Sequence, residues 1–249
     1  MIPKTIHYCW FGRGDMPELA QMCIDSWKKH LPDYEIKLWN EDNFDININH
    51  YVKEAYEAKK YAFVSDYARF YILYNNGGVY MDTDVEVLKP IDNLLTNNAF
   101  MGFEDEKNVN PGLIIGSKKG HPLLKEMIDS YSNRKFILND GSYNLTTVVK
   151  YTTNILLSHG LVLNNSKQNV KGMVIYPKTY FCPLDADSTR KDLTDLTHTI
   201  HHFSASWLTE EEKIRGKRNA QIKNIISKII GEKGFDTLLK LRNNILKKN

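Results

Sequence analysis

A chain of 249 residues, 42% hydrophobic and 25% charged, has the size and composition of one soluble α/β core and needs no division into two. Its net charge of +3 is unevenly placed. Residues 213–249 hold eleven Lys/Arg against Glu232 and Asp236, beside an acidic body, which argues against a nucleic-acid binder. Cys9, Cys23 and Cys182 make neither a Cys-x-x-Cys pair nor an even set, so structural zinc and a disulfide frame are excluded and reduced cytoplasmic thiols are expected. No apolar run is long enough for a signal peptide or a membrane span.

In chain order, residues 2–11 read as a first strand, with Ile6, Tyr8 and Trp10 on one face and His7, Cys9 and Phe11 on the other. Pro17 opens a helix expected to run to about residue 30. The alternating stretch 34–39 is a second strand, so the chain begins as a parallel strand–helix–strand layer. A helix over about 51–59 follows, and then a longer one with apolar residues at helical spacing from Tyr61 to Tyr74. On that second helix Asp66 and Arg69 are three apart and share a face. They are either a surface ion pair or a carboxylate and a guanidinium aimed at a polar ligand, and their closeness in sequence to the next motif favours the ligand.

The chain is organised around Gly77-Gly78-Val79-Tyr80-Met81-Asp82-Thr83-Asp84. The glycines take the positive φ that ends a helix, and Val79 to Met81 favour a buried strand. Asp82 and Asp84 then stand at the carboxyl end of that strand, where open α/β sheets bind ligands. Two aspartates one residue apart can hold a hard divalent cation and leave positions for phosphate oxygens. Val85 to Leu88 should continue the strand, and strands are also expected at 99–103, 113–116 and 174–177, with helices at about 121–132 and 145–157. Near the end, His201 and His202 lie on an extended segment and face opposite ways, so one of them could add a nitrogen to the cation, a donor set that suits Mn²⁺ better than Ca²⁺.

Five pieces in this order resemble glycosyltransferase family 32, whose sugar-binding region contains a DXD motif, and more distantly the large clostridial glucosylating toxins. They are Ile2-Pro3-Lys4-Thr5-Ile6-His7 with Trp10; Ala62-x-x-Ser65-Asp66-x-x-Arg69; Gly77-Gly78-x-Tyr80-x-Asp82-x-Asp84; Gly116-x-x-x-Gly120-His121-Pro122; and His201-His202-x-x-x-Ser206-Trp207. The resemblance implies an α/β GT-A fold, with a Rossmann-like, mixed and mostly parallel sheet flanked by helices. It implies transfer of a hexose, with retention, from a nucleotide sugar such as a UDP-hexose, with Mn²⁺ or Mg²⁺. Carried over by residue, Trp10 would stack on the base, Asp66 and Arg69 would hold the sugar, Asp82 would reach ribose and metal, and Asp84 would bind the metal. Ser65 and Tyr80 belong to the same donor-site motifs. His202, five residues before Trp207, would be the further metal ligand, and Ser206 and Trp207 would close over the diphosphate. Asp140-Gly141-Ser142 stands where many relatives carry Thr-Gly-Pro.

The expected domains are a catalytic domain over 1–207 and a basic amphipathic helical tail over 208–249. Thr209 to Glu212 reads as a capping box, Ile222, Ile225, Ile226, Ile229 and Ile230 make one apolar stripe, Phe235, Leu238, Leu239, Leu241, Ile245 and Leu246 make a second, and lysines and arginines fill the other faces. The tail either lies on an anionic membrane or packs on the body or a partner chain. The expected acceptor is a saccharide or lipid-linked saccharide of surface or capsular polysaccharide, and the expected location is the cytoplasm, at the inner face of the membrane. Two rivals are weighed against this reading. One is a haloacid-dehalogenase-type phosphatase, disfavoured by Glu86 after Asp82-Thr83-Asp84-Val85, and the other is a non-catalytic sugar- or membrane-binding protein, disfavoured by the intact acidic set.

Overall fold

In the computed structural model the described residues are 1–184 and 193–204, and residues 1–204 form one compact unit. The expected boundary at 207 and the tail beyond it lie outside the described residues. The strands are β1 (Thr5–Cys9), β2 (Glu35–Trp39), β3 (Gly78–Tyr80), β4 (Val85–Val87), β5 (Ala99–Gly102), β6 (Ile115–Ser117), β7 (Gln168–Val170), β8 (Met173–Tyr176) and β9 (Thr199–His201). The helices are α1 (Glu18–His30), α2 (His50–Glu57), α3 (Tyr61–Asn76), α4 (Pro122–Asp129) and α5 (Val148–Ser158).

Seven strands make one sheet in the order β2-β1-β3-β6-β5-β8-β7. Five run one way; β6 and β7 run against them. This is the mixed, mostly parallel, helix-flanked sheet of the GT-A expectation. Because side chains alternate across a strand, the sheet has two cores. Cys9, Tyr80, Met101 and Ile175 face one side and pack with α2 to α5. Ile6, Tyr8, Val79 and Phe100 face the other, against Ile24 and Trp27 of α1.

The central helix α3 has buried residues almost all round, including Phe63, Val64, Tyr67, Phe70, Ile72 and Leu73, as a helix between a sheet and further helices must. Gly77, at φ +71°, ends it, and its N–H donates to the Leu73 carbonyl at 2.8 Å. Gly78 follows at φ +104°, and a Cβ there would stand 2.7 Å from the Thr5 carbonyl oxygen and 2.8 Å from His7 Nε2. The double glycine therefore lets the chain turn and lie directly on β1.

Two expectations differ from the fold. Val85 to Val87 does not continue β3; it leaves the sheet and pairs with β9 as a separate two-stranded ladder. The reason is the turn at the aspartates, closed by Val85 N–H to the Asp82 carbonyl at 3.1 Å. In addition, Leu113 and Ile114 are fully buried but precede the ladder of β6, which begins at Ile115.

His7 fixes this arrangement. Its Nδ1 accepts the Trp39 indole N–H at 3.1 Å, which leaves Nε2 protonated to donate to the Gly77 carbonyl at 2.9 Å. Burial pushes its pKa down to about 4 against the pull of that carbonyl. A second proton on Nδ1 would break the Trp39 bond. His7 thus contributes stability that is whole above its unfolded pKa near 6.5 and is lost as pH falls through about 4. The expected loss is on the order of 3 kcal/mol. Urea unfolding at about pH 7 and about pH 4 should show that slope in the wild type and a flatter one in His7→Gln.

Candidate active site

The two halves of the site come from α3 and from the chain just after β3. Helical spacing puts Asp66 and Arg69 on one face of α3, and both are buried, Arg69 to 3% exposure. The Arg69 guanidinium donates to Asp66 Oδ1 at 2.8 Å and lies 3.2 Å from Asp82 Oδ1, so one cation joins the helix to the rim of the sheet. Its Nε donates to the Ser65 carbonyl at 3.1 Å, and its charge lies 4.9 Å from the centre of the Tyr80 ring. Tyr80 donates its hydroxyl to Asp82 Oδ1 at 2.9 Å. Burial pushes Asp66 up to about 7, against the opposing pull of Arg69 and of the Val148 backbone N–H at the start of α5. Cys9 lies beneath this group, and burial pushes its thiol up to about 12, so it stays protonated and is no nucleophile.

Asp84 is held from the other side. Its Oδ1 is 3.1 Å from His201 Nε2, and its Oδ2 accepts both the backbone N–H and the hydroxyl of Ser204 at 2.8 Å. Burial opposes ionisation of Asp84, but His201 and Ser204 outweigh it and hold the carboxyl well below the usual range. Burial likewise pulls the His201 pKa down, while Asp84, Asp82 and Glu104 together raise it. Asp82, Asp84 and His201 each offer a ligand atom within 4.8 Å of the others. Two carboxylates and an imidazole suit Mn²⁺ or Mg²⁺, with the nitrogen favouring Mn²⁺. His201 Nδ1 is buried without a hydrogen-bond partner.

The structure brings His201, and not the expected His202, to Asp82 and Asp84. His202 donates its backbone N–H to the Asp84 carbonyl at 3.0 Å, and its ring Nε2 lies 2.9 Å from Glu86 Oε2. Strand alternation in the β4–β9 ladder puts His202 with Glu86. Asp84 lies before β4, in the turn, so its side chain is not bound by that alternation and meets His201 instead.

Of the remaining expected residues, Trp10 follows β1 with its indole N–H on the Gly14 carbonyl at 2.7 Å. Ser65 is on α3 with its hydroxyl on the Tyr61 carbonyl at 3.2 Å. Ser206 and Trp207 lie outside the described residues. The structure adds four residues to the site: Ser204, Gly112, Asn110 and Glu104. Gly112 accepts the Asp82 N–H at 3.1 Å and donates to Asn110 Oδ1 at 2.6 Å, and Asn110 Nδ2 donates to Glu104 Oε2 at 3.0 Å. A Cβ on Gly112 would meet Asp82 Oδ2 at 2.1 Å. The turn residues Asn110-Pro111-Gly112 were the only signal, and nothing local tied them to the aspartates.

Parts of the chain are similar to known proteins. Residues 17–101 match the family model described as the glycosyltransferase sugar-binding region containing a DXD motif. Inositol phosphoceramide mannosyltransferase 3 of Schizosaccharomyces pombe is 30% identical over 139 residues, 51% of this chain and 36% of that protein. The initiation-specific alpha-1,6-mannosyltransferase of Candida albicans is 25% identical, covering 82% of this chain and 72% of that protein. Among solved structures, one described as PaToxG glycosyltransferase overlays with a TM-score of 0.48 at 19% identity, over 63% of this chain and 68% of that one. The chain thus spans little more than a third of the first of these relatives. Asp82-Thr83-Asp84 lies inside the matched stretch, so residues 17–101 are similar to the glycosyltransferase sugar-binding region that contains a DXD motif.

Proposed function

We propose that this glycosyltransferase moves a hexose from a nucleotide sugar to a saccharide or lipid-linked acceptor, with retention, and that Asp82, Asp84 and His201 hold a divalent cation. The observation that carries the proposal is the convergence of those three ligand atoms within 4.8 Å at the carboxyl end of a central strand. A cation there neutralises charge developing on the departing diphosphate, which stabilises the transition state more than the ground state. Arg69 and Tyr80 fix the Asp82 carboxylate, and Ser204 fixes that of Asp84, so neither has to reorganise during reaction. Asp66 and Arg69 would hold sugar hydroxyls, and Trp10 and Ser65 would border the donor. Ser206 and Trp207 would close over the diphosphate.

The relatives' names make mannose the first sugar to test, and the toxin resemblance makes a UDP-hexose the second. We place the enzyme at the inner face of the membrane, on the basic amphipathic pattern of 209–249, with surface polysaccharide as the polymer served. The deciding experiment is a screen of GDP- and UDP-sugars with Mn²⁺ or Mg²⁺ for release of the nucleoside diphosphate. Release that a chelator stops and added Mn²⁺ restores supports the proposal; no release from any donor defeats it. The two histidines separate in the same assay. His201→Ala should raise the Mn²⁺ concentration for half-activation by at least about tenfold, whereas His202→Ala should shift it by less than about threefold.

A further inference from the structure

A cavity of about 510 Å³ lies between the 104–108 loop and α5. Both of its walls begin at the site. Glu104 lines it, and Glu104 is joined through Asn110 and Gly112 to Asp82. Thr147 lines the opposite wall, one residue before the Val148 N–H that acts on Asp66. The Thr153 hydroxyl accepts the Val109 N–H at 3.0 Å, which sews loop to helix.

From there the lining changes in order along α5. Thr147, Lys150, Asn154 and Leu157 recur at helical spacing and face the cavity. At a rise of 1.5 Å per residue, they span about 15 Å from the site outward. Lys150 is answered across the gap by Lys107, and both are exposed. Neither ammonium has an ion-pair partner among the described residues. Two like charges lining one cavity favour an anion between them. At the outer end Leu157 and Leu163, each 39% exposed, add apolar surface to the lining.

We propose that this cavity is the acceptor site and that its acceptor is an anionic amphiphile: a hydroxyl-bearing end at Glu104, a phosphate-type group between Lys107 and Lys150, and an apolar chain along Leu157 and Leu163. A neutral saccharide would leave the lysines uncompensated and the leucines in water. The inference rests on the transferase reading of the neighbouring site.

The test uses the full chain and three probes: octyl phosphate, octyl glucoside and inorganic phosphate. Binding is measured by titration calorimetry at low salt. Octyl phosphate should bind at least about tenfold more tightly than either other probe, because only it meets the lysines and the leucines together. K107E/K150E, a pair of exposed positions, should abolish that preference while unfolding at the same temperature as the wild type. Equal octyl phosphate binding by the variant would assign the anion to the basic residues of 213–249 and overturn the proposal. Inorganic phosphate binding as tightly as octyl phosphate would overturn the amphiphile. If the wild type releases no nucleoside diphosphate from any donor, the transferase reading fails, whatever the probes do. If it does release one and octyl phosphate does not bind, this inference alone fails.

Discussion

Asp84→Asn is expected to lower metal-dependent release of the nucleoside diphosphate by on the order of 10²–10³-fold, at saturating donor and Mn²⁺. The substitution keeps the shape and removes the charge. In the native chain all the contacts of this carboxylate favour ionisation: His201 on one oxygen, and the Ser204 N–H and hydroxyl on the other. An amide can accept from Ser204 but cannot balance a cation beside Asp82. Because the folded state holds the Asp84 pKa below its ordinary value, its ionisation also stabilises the fold at neutral pH, and that contribution fades as pH falls into the acidic range. The variant should therefore unfold at a somewhat lower temperature, and activity has to be compared below that temperature. Ser204→Ala serves as the control: it removes one hydrogen bond and keeps the charge, so a loss of less than about tenfold is expected. Asp84→Asn retaining activity within about tenfold of wild type would remove the carboxylate from the mechanism.

How far the site could be read beforehand follows from the range of the interactions that build it. The stop at Gly77-Gly78, the buried strand behind it and the pairing of Asp66 with Arg69 are set by neighbours a few residues apart, and periodicity exposes them. The placement of His201 is different. It depends on β9 pairing with β4, 116 positions apart where His202 meets Glu86, and on Asp84 standing one residue outside the ladder. A pairing register cannot be derived from a three-residue strand such as Thr199–His201, because so short a segment carries no alternation to fix it. The same holds for Glu104 and Asn110, whose loop meets the aspartates only once β5 and β6 lie in the sheet. The separation of β4 from β3 was missed because an apolar–polar alternation reads the same on either side of a turn.

Gly112→Ala is expected to cost on the order of 10²-fold in rate while the protein stays folded. No unusual φ is at stake here; the constraint is space. The new Cβ would lie 2.1 Å from Asp82 Oδ2, 3.0 Å from Asn110 Oδ1 and 3.1 Å from Arg69 Nη1. Something must yield by about an ångström. The loop is poorly able to do so: Gly112 is bonded on one side to Asn110 and on the other to the Asp82 N–H, and the Leu113 and Ile114 that follow are fully buried. The Asp82 side chain, 29% exposed, has solvent to yield into, so the clash should displace it from Arg69 and from its place beside Asp84 and His201. Gly116→Ala supplies the contrast. Its Cβ would also meet an atom at 2.1 Å, but that atom is Cε1 of Phe100, in the core on the opposite side of the sheet from α3. Overpacking there should cost about 1–3 kcal/mol of stability and leave the rate per folded molecule near that of wild type. Two alanines with the same clash thus separate the packing of the sheet from the position of one carboxylate. If Gly112→Ala behaved like Gly116→Ala, losing stability and keeping its rate, Asp82 would not need to stand where the structure puts it.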